Sequence, residues 1–369
     1  MAPAAKKQKV DNPPKSPIVF QSPGLKPDVS LKVFDVEFHV HSILLKLHSA
    51  FFRKFLDSPD KTVSPSTVNN DSASGTTPPG ASAFGLSLVS VEFKYKWATK
   101  VDENEVEKWH LVEDNSKNEP FNLESFKGDK KTEGATFEKL LCAIYVLPYR
   151  IENAKVLTSL AEIADYYRAL PIVSRTLSYA LHDSQDFIRS IKCDPRTVFE
   201  AAAKLRHKVL FKDALVWVVG NWRYPAFKEL SDRKLRQVAR CAYGEIATKV
   251  ANSSSSIFIG FTAVDEIWSE SFRNSICEPQ ETWSMIREYF LYQEQINFPS
   301  FFRRIFERDD LPLDVSMSDL NIPGLLRNNL VLDRSPRSPG ESDEEDEEYF
   351  LCGEIEDEDL PWDLEEVDW

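Results

Sequence analysis

Between Asp28 and Leu56 the chain alternates apolar and polar positions and then changes period. Val29, Leu31 and Val33 recur at every second residue before Asp35, and Val36, Phe38 and Val40 do so after it, which predicts a two-stranded hairpin. Ile43, Leu44, Leu45 and Leu47 follow with almost no linker and predict an amphipathic helix. Ser49 stands as N-cap to a second short helix carrying Phe51, Phe52, Phe55 and Leu56. The block has no phosphate loop and no metal-ligand set, so it reads as a nucleus made to pack against protein.

Alternation returns over Leu86–Val101 and Lys108–Asp114, predicting further strands with 102–107 as their turn. Phe121–Thr132 is polar and reads as loop. Helical spacing resumes at Thr136, where Phe137, Leu140, Leu141, Ile144 and Tyr145 form one stripe. Leu157, Leu160, Ala161 and Ala164 continue it, and Pro171 should restart the chain before Ile172–Leu181. Beyond Asp183 the pattern is helical throughout. Asp194-Pro195 is a cap with proline at the first helical position, Leu210–Trp222 is apolar nearly all round, and Leu235, Val238, Ala239, Ala242 and Ile246 mark a helix starting near Asp232. The serine run 253–256 should separate that helix from an aromatic one over Glu281–Ile296.

These elements sum to an α+β protein. A short mixed sheet flanked by helices fills 28–181, interrupted by a Ser/Thr/Pro/Asn-rich insertion over 57–85 that reads as disordered. An all-helical extension covers 183–306. The polar, proline-rich start (1–27) and the stretch 309–369 read as mostly disordered.

Charge changes the picture at one end only. The net charge is −14, but 16 of the 59 acidic residues lie in 341–369, which holds no Lys or Arg, so the body is close to neutral. That balance gives no basic face for direct nucleic-acid binding. No apolar run approaches a membrane span, and the charged opening sets the expectation of no secretory leader. Five scattered cysteines suit a reducing compartment better than a disulfide framework.

The chain holds no G-x-S-x-G, Walker A, G-x-G-x-x-G, H-E-x-x-H or C-x-x-C. His39, His41 and His48 lack the spacing of a metal set, and Tyr166, Tyr167, Trp217 and Trp222 at helical positions read as core. The expectation is no enzyme, no cofactor and no metal. Lys6, Lys7 and Lys9 in PAAKKQKVD resemble a nuclear import signal, which implies an importin as partner and a nuclear location. In the acidic tail, Tyr349, Phe350, Trp362 and Trp369 are interleaved with carboxylates, the composition of a segment that captures a second protein. The alternative is a tail that folds back over a basic surface. Ser335 and Ser338 precede prolines beside it.

Asp28, Phe38, His41, Leu45, Ser49 and Phe52 stand at the spacing of the BTB/POZ signature, and Phe137–Tyr149 and Leu157–Leu177 resemble that family's later helices. The resemblance covers roughly 28–181 and is nearest in wording to BTB proteins of filamentous fungi. It implies an interaction scaffold or adaptor, with a homodimer among its states and, as the alternative, a substrate adaptor of a cullin ubiquitin ligase. Two departures are visible. Ser42 stands where dimeric members carry a basic partner for the first-strand Asp, and no hydrophobic-x-Glu element follows the phenylalanine cluster.

Overall fold

The structure, a computed structural model, describes residues 16–56, 93–102, 105–106, 108–114, 122–271 (backbone alone over 258–271), 297–306, 322–333, 346–366 and 369. Among these it is a mixed α+β chain with one five-stranded sheet and eleven helices. It divides into two compact units, 1–145 with 165–169, and 146–164 with 170–369. Residues 146–164 and 170–181, read above with the sheet, thus cluster with the helical part.

In the first unit the strands are β1 (Ile18–Val19), β2 (Val29–Val33), β3 (Val36–Val40), β4 (Tyr95–Val101) and β5 (Trp109–Glu113), ordered β1-β3-β2-β4-β5. β2 and β3 form the expected antiparallel hairpin, with Leu31 opposite Phe38. Its turn places Phe34 at φ 51, and the Phe34 amide donates to Thr99 Oγ1 (2.9 Å). β4 runs parallel to β2, so a crossover must join them; α1 (Ser42–His48) and α2 (Ala50–Leu56) lie on that connection. β1 pairs parallel with β3 and buries Phe20, so the expectation of a disordered start fails for 16–27.

α3 (Lys130–Ile144) begins six residues before the sequence reading placed it. Asp129 explains the difference: its carboxylate accepts from the Lys131 amide (3.0 Å), capping a first turn too polar to show helical periodicity. Phe137, Leu140, Leu141 and Ile144 are buried, as their spacing predicts. An aromatic cluster joins Phe52, stacked at 3° on Tyr167, to Phe137 and Trp97.

The second unit takes most of α4 (Ala154–Tyr166), then α5 (Leu170–His182), α6 (Gln185–Ser190), α7 (Pro195–Lys204), α8 (Lys208–Gly220), α9 (Arg233–Ser271), α10 (Phe298–Phe306) and α11 (Ile322–Leu326). Asp194 caps α7 with Pro195 at the first position, and Asp232 caps α9 through the Lys234 and Leu235 amides. α8 is buried from Leu210 to Gly220 except at Lys212.

Two regions depart from the pattern the sequence predicts. The serine run does not end α9, which continues through it; Ser254 Oγ donates back to the Val250 carbonyl (2.7 Å), so the hydroxyl is satisfied inside the helix. Nor is 309–369 mostly disordered: α11, residues 327–333 and residues 346–366 are packed, with Phe350, Leu351, Cys352, Ile355 and Leu360 buried. Composition counts the tail's charge as unpaired, whereas several of its carboxylates meet cations. The insertion 57–85 and the helix expected at 281–296 lie outside the described residues.

Candidate functional site

Two places gather the residues singled out above. The first is the start of α1. Asp28 Oδ1 accepts the Ser42 amide (2.7 Å) and Oδ2 accepts the Ser42 hydroxyl (2.6 Å), so this carboxylate, fourteen residues upstream, satisfies a donor at the helix N-terminus. The neighbouring His41 amide donates to Tyr145 Oη (2.7 Å), and Tyr145 Oη also meets His41 Nδ1 (2.8 Å). The phenol can accept the amide and still either donate to Nδ1 or accept from it, according to the imidazole tautomer. Burial, the largest cause, raises the Tyr145 pKa and keeps that phenol protonated.

Phe38, Leu45, Ser49 and Phe52 are fully buried. Ser49 Oγ donates to the Tyr167 carbonyl and accepts from the Phe52 amide (3.2 Å), capping α2 as its sequence position suggests. These residues are therefore held in the framework of the unit. What α1 turns outward is Ile43 (59% exposed) and Leu47 (62% exposed), one face of the helix by their i, i+4 spacing.

The three candidate histidines do not gather. His39 Nε2 pairs with Glu37 (2.9 Å), His41 with Tyr145, and His48 lies at the far end of α1. Lys6, Lys7 and Lys9 lie outside the described residues, as does the stretch after Leu56 where a cullin-type element would stand.

The second place is α8. Tyr349, Phe350, Trp362 and Trp369, expected to be offered to another protein, are all engaged within the chain. Tyr349 sits edge-on to Trp217 (5.4 Å between centroids), Phe350 against Trp222 (5.6 Å), and Trp362 on Phe211 (4.8 Å), while the Arg206 guanidinium lies 4.7 Å from the Trp369 ring. Asp346 pairs with Lys192 (3.3 Å) and Glu366 with Arg206 (2.6 Å). Asp357 bridges Lys208 (2.5 Å) and Lys212 (2.8 Å), whose hydrogen bonds hold its carboxyl below the usual range. Arg303 of α10 donates to the Glu347 and Tyr349 carbonyls. The Phe350 amide reaches the Gly220 carbonyl (2.8 Å), and the Asn329 amide reaches the Leu351 carbonyl (2.9 Å).

Two buried titratable groups at α8 escaped the sequence reading. His207 caps the helix: Nδ1 accepts the Leu210 amide (3.2 Å), so Nε2 bears the proton and donates to Ser178 Oγ (2.9 Å). That tautomer cannot take a proton from Ser178, and the pair is a cap rather than a base with its nucleophile. Asp213 accepts the Val331 and Leu332 amides (2.9 and 2.7 Å) and so ties 331–332 to α8. A lone acid inside the apolar run Leu210–Trp222 was its only signal in the sequence.

Burial pushes His207 down to about 4 from 6.5 and Asp213 up to about 6 from 3.8. The stability tied to neutral His207 is complete above pH 6.5 and is lost as pH falls through about 4. That tied to protonated Asp213 is complete below pH 3.8 and is lost as pH rises through about 6. Over pH 4–6 the two oppose each other, each on the order of 3 kcal/mol. His207→Asn retains a capping oxygen and should leave Asp213 unopposed. Relative to the parent, the variant's melting temperature is expected to rise on going from pH 7 to pH 4.5; an unchanged difference between the two would mean His207 is protonated in the fold.

No protein-family model, curated protein or solved structure matches this chain.

Proposed function

We propose that the first unit is a protein–protein interaction module of the BTB/POZ kind, a scaffold rather than an enzyme, and that it self-associates through α1. The observation that carries this is the apolar face of Ile43 and Leu47, left in solvent on a helix whose start is fixed by Asp28, His41 and Tyr145. A helix held this firmly, with two large aliphatic side chains outward, is suited to docking. The signature spacing from Asp28 to Phe52 adds to the reading. Ser42, standing where a basic residue would pair with the acid, binds Asp28 itself. Association would therefore rest on apolar burial and not on an ion pair. A stable interface buries about 1,200–2,000 Å² in total, so the contact must extend beyond these two residues. Val19 and Leu25 are further exposed apolar side chains of the same unit.

Sedimentation of the full chain at tens of micromolar is expected to give twice the monomer mass, and Ile43→Asp with Leu47→Asp is expected to give the monomer with an unchanged circular dichroism spectrum. A wild-type chain that sediments as a monomer, or a variant that still sediments as a dimer, would remove α1 as the contact.

A further inference from the structure

We propose that the surface formed by α8, the end of α7, α10 and residues 327–331 is a peptide-binding groove, for which residues 346–366 are the resident ligand. The occupant that can replace it is an extended acidic, aromatic segment of another protein. This goes beyond the scaffold reading and uses none of its residues.

The tail segment is held as a bound peptide is held. After Asp346, which is in a 3-10 turn, its described residues form no helix or strand of their own, only turns and one isolated bridge, between Tyr349 and Asn221. Its order comes from outside. Backbone bonds reach it from Gly220, Asn329 and Arg303, aromatic anchors sit on Trp217, Trp222 and Phe211, and carboxylates meet Lys192, Arg206, Lys208 and Lys212.

These contacts state what the groove reads. An acid at the first position faces Lys192, and an aromatic pair enters beside Trp217 and Trp222. A second acid, seven residues after Phe350, is clamped by two lysines one helical turn apart on α8. Charge complementarity of this sort sets orientation and excludes basic or neutral peptides. Shape adds a sharper condition. A Cβ on Gly353 would lie 2.9 Å from Val219 Cγ2, so a side chain there would have to displace Val219, and the groove favours glycine three residues after the phenylalanine. Partners are thus defined as acidic segments with an aromatic pair, a glycine at that offset and a later Asp.

The test uses the full chain and a fluorescent synthetic peptide of residues 345–366, read by anisotropy. Asp357→Lys with Trp362→Ala loosens the resident segment at exposed or half-buried positions. This variant is expected to bind the free peptide at least tenfold more tightly than the parent chain does. Adding Lys208→Glu and Lys212→Glu to the groove should abolish that gain. A peptide carrying Gly353→Leu should bind at least tenfold more weakly to the loosened variant. The proposal is overturned if the loosened variant melts as the parent does yet gains no affinity. It is equally overturned if the Gly353→Leu peptide binds as well as the native one, which would mark the attraction as unspecific charge. Loss of helical signal in the loosened variant would show the segment to be an inseparable part of the core and would also end the idea.

Discussion

Phe52→Ala should lower the stability of the first unit by about 3–5 kcal/mol, the range for deleting a fully buried phenylalanine. Phe52 has no exposed surface, stacks flat on Tyr167 at 5.4 Å between centroids and meets Trp97 at 6.1 Å. Its amide is also capped by Ser49, whose hydroxyl is fixed on the Tyr167 carbonyl. Truncation therefore opens a cavity in a rigid wall, because neither Tyr167 nor Trp97 can rotate into it without losing other contacts. Tyr167 Oη accepts the Leu111 amide (3.1 Å), which ties the same ring to β5. A thermal melt of the full chain checks the loss, and hydrogen exchange over 29–40 and 137–144 assigns it to this unit. An unaltered melt would mean that α2 does not pack where the stacking places it.

Gly220→Ala is the second large effect, and its direction is diagnostic. In a helix with an open surface, this change would stabilise by roughly 0.5–1 kcal/mol. At Gly220 the new Cβ would lie 2.7 Å from the Phe350 carbonyl oxygen, and that oxygen belongs to backbone. The Phe350 amide is bonded to the Gly220 carbonyl at the same point, so the two backbones cannot slide apart without breaking it. Overpacking of this kind costs about 1–3 kcal/mol, which outweighs the helix gain. The expected result is at least tenfold faster amide exchange across 346–355, with α3 unaffected. A variant more stable than its parent, with tail protection intact, would show that the two backbones are farther apart than described.

Much of the fold was legible from periodicity. The hairpin around Asp35, the α3 stripe, the Asp194-Pro195 cap and the buried run of α8 each follow from a regular spacing that local physics rewards. The departures have specific causes. The start of α3 was missed because Asp129, not an apolar residue, sets it. α9 was broken at its serines on a composition rule, although a helical serine can return its hydrogen bond to the preceding turn. The packed tail was hidden because its charged and aromatic partners on and around α8 lie more than a hundred residues away. Lys208 and Lys212 meet Asp357, and nothing in either local stretch announces the other. At the candidate sites, the pattern located the residues from Asp28 to Phe52 and the tail aromatics. It did not reveal that Ile43 and Leu47 face outward, and it left open whether the tail aromatics meet another protein or fold back.

The bond between His41 and Tyr145 has a consequence for how this chain can change over time. Two residues 104 positions apart share one side-chain hydrogen bond, and the same phenolic oxygen accepts a main-chain amide. Losing the hydroxyl alone would strand both the amide and Nδ1 at a part-buried site, at about 1–3 kcal/mol for each. Single-step drift at either position is therefore disfavoured, and sequences descended from this one should alter the two columns jointly or leave both alone.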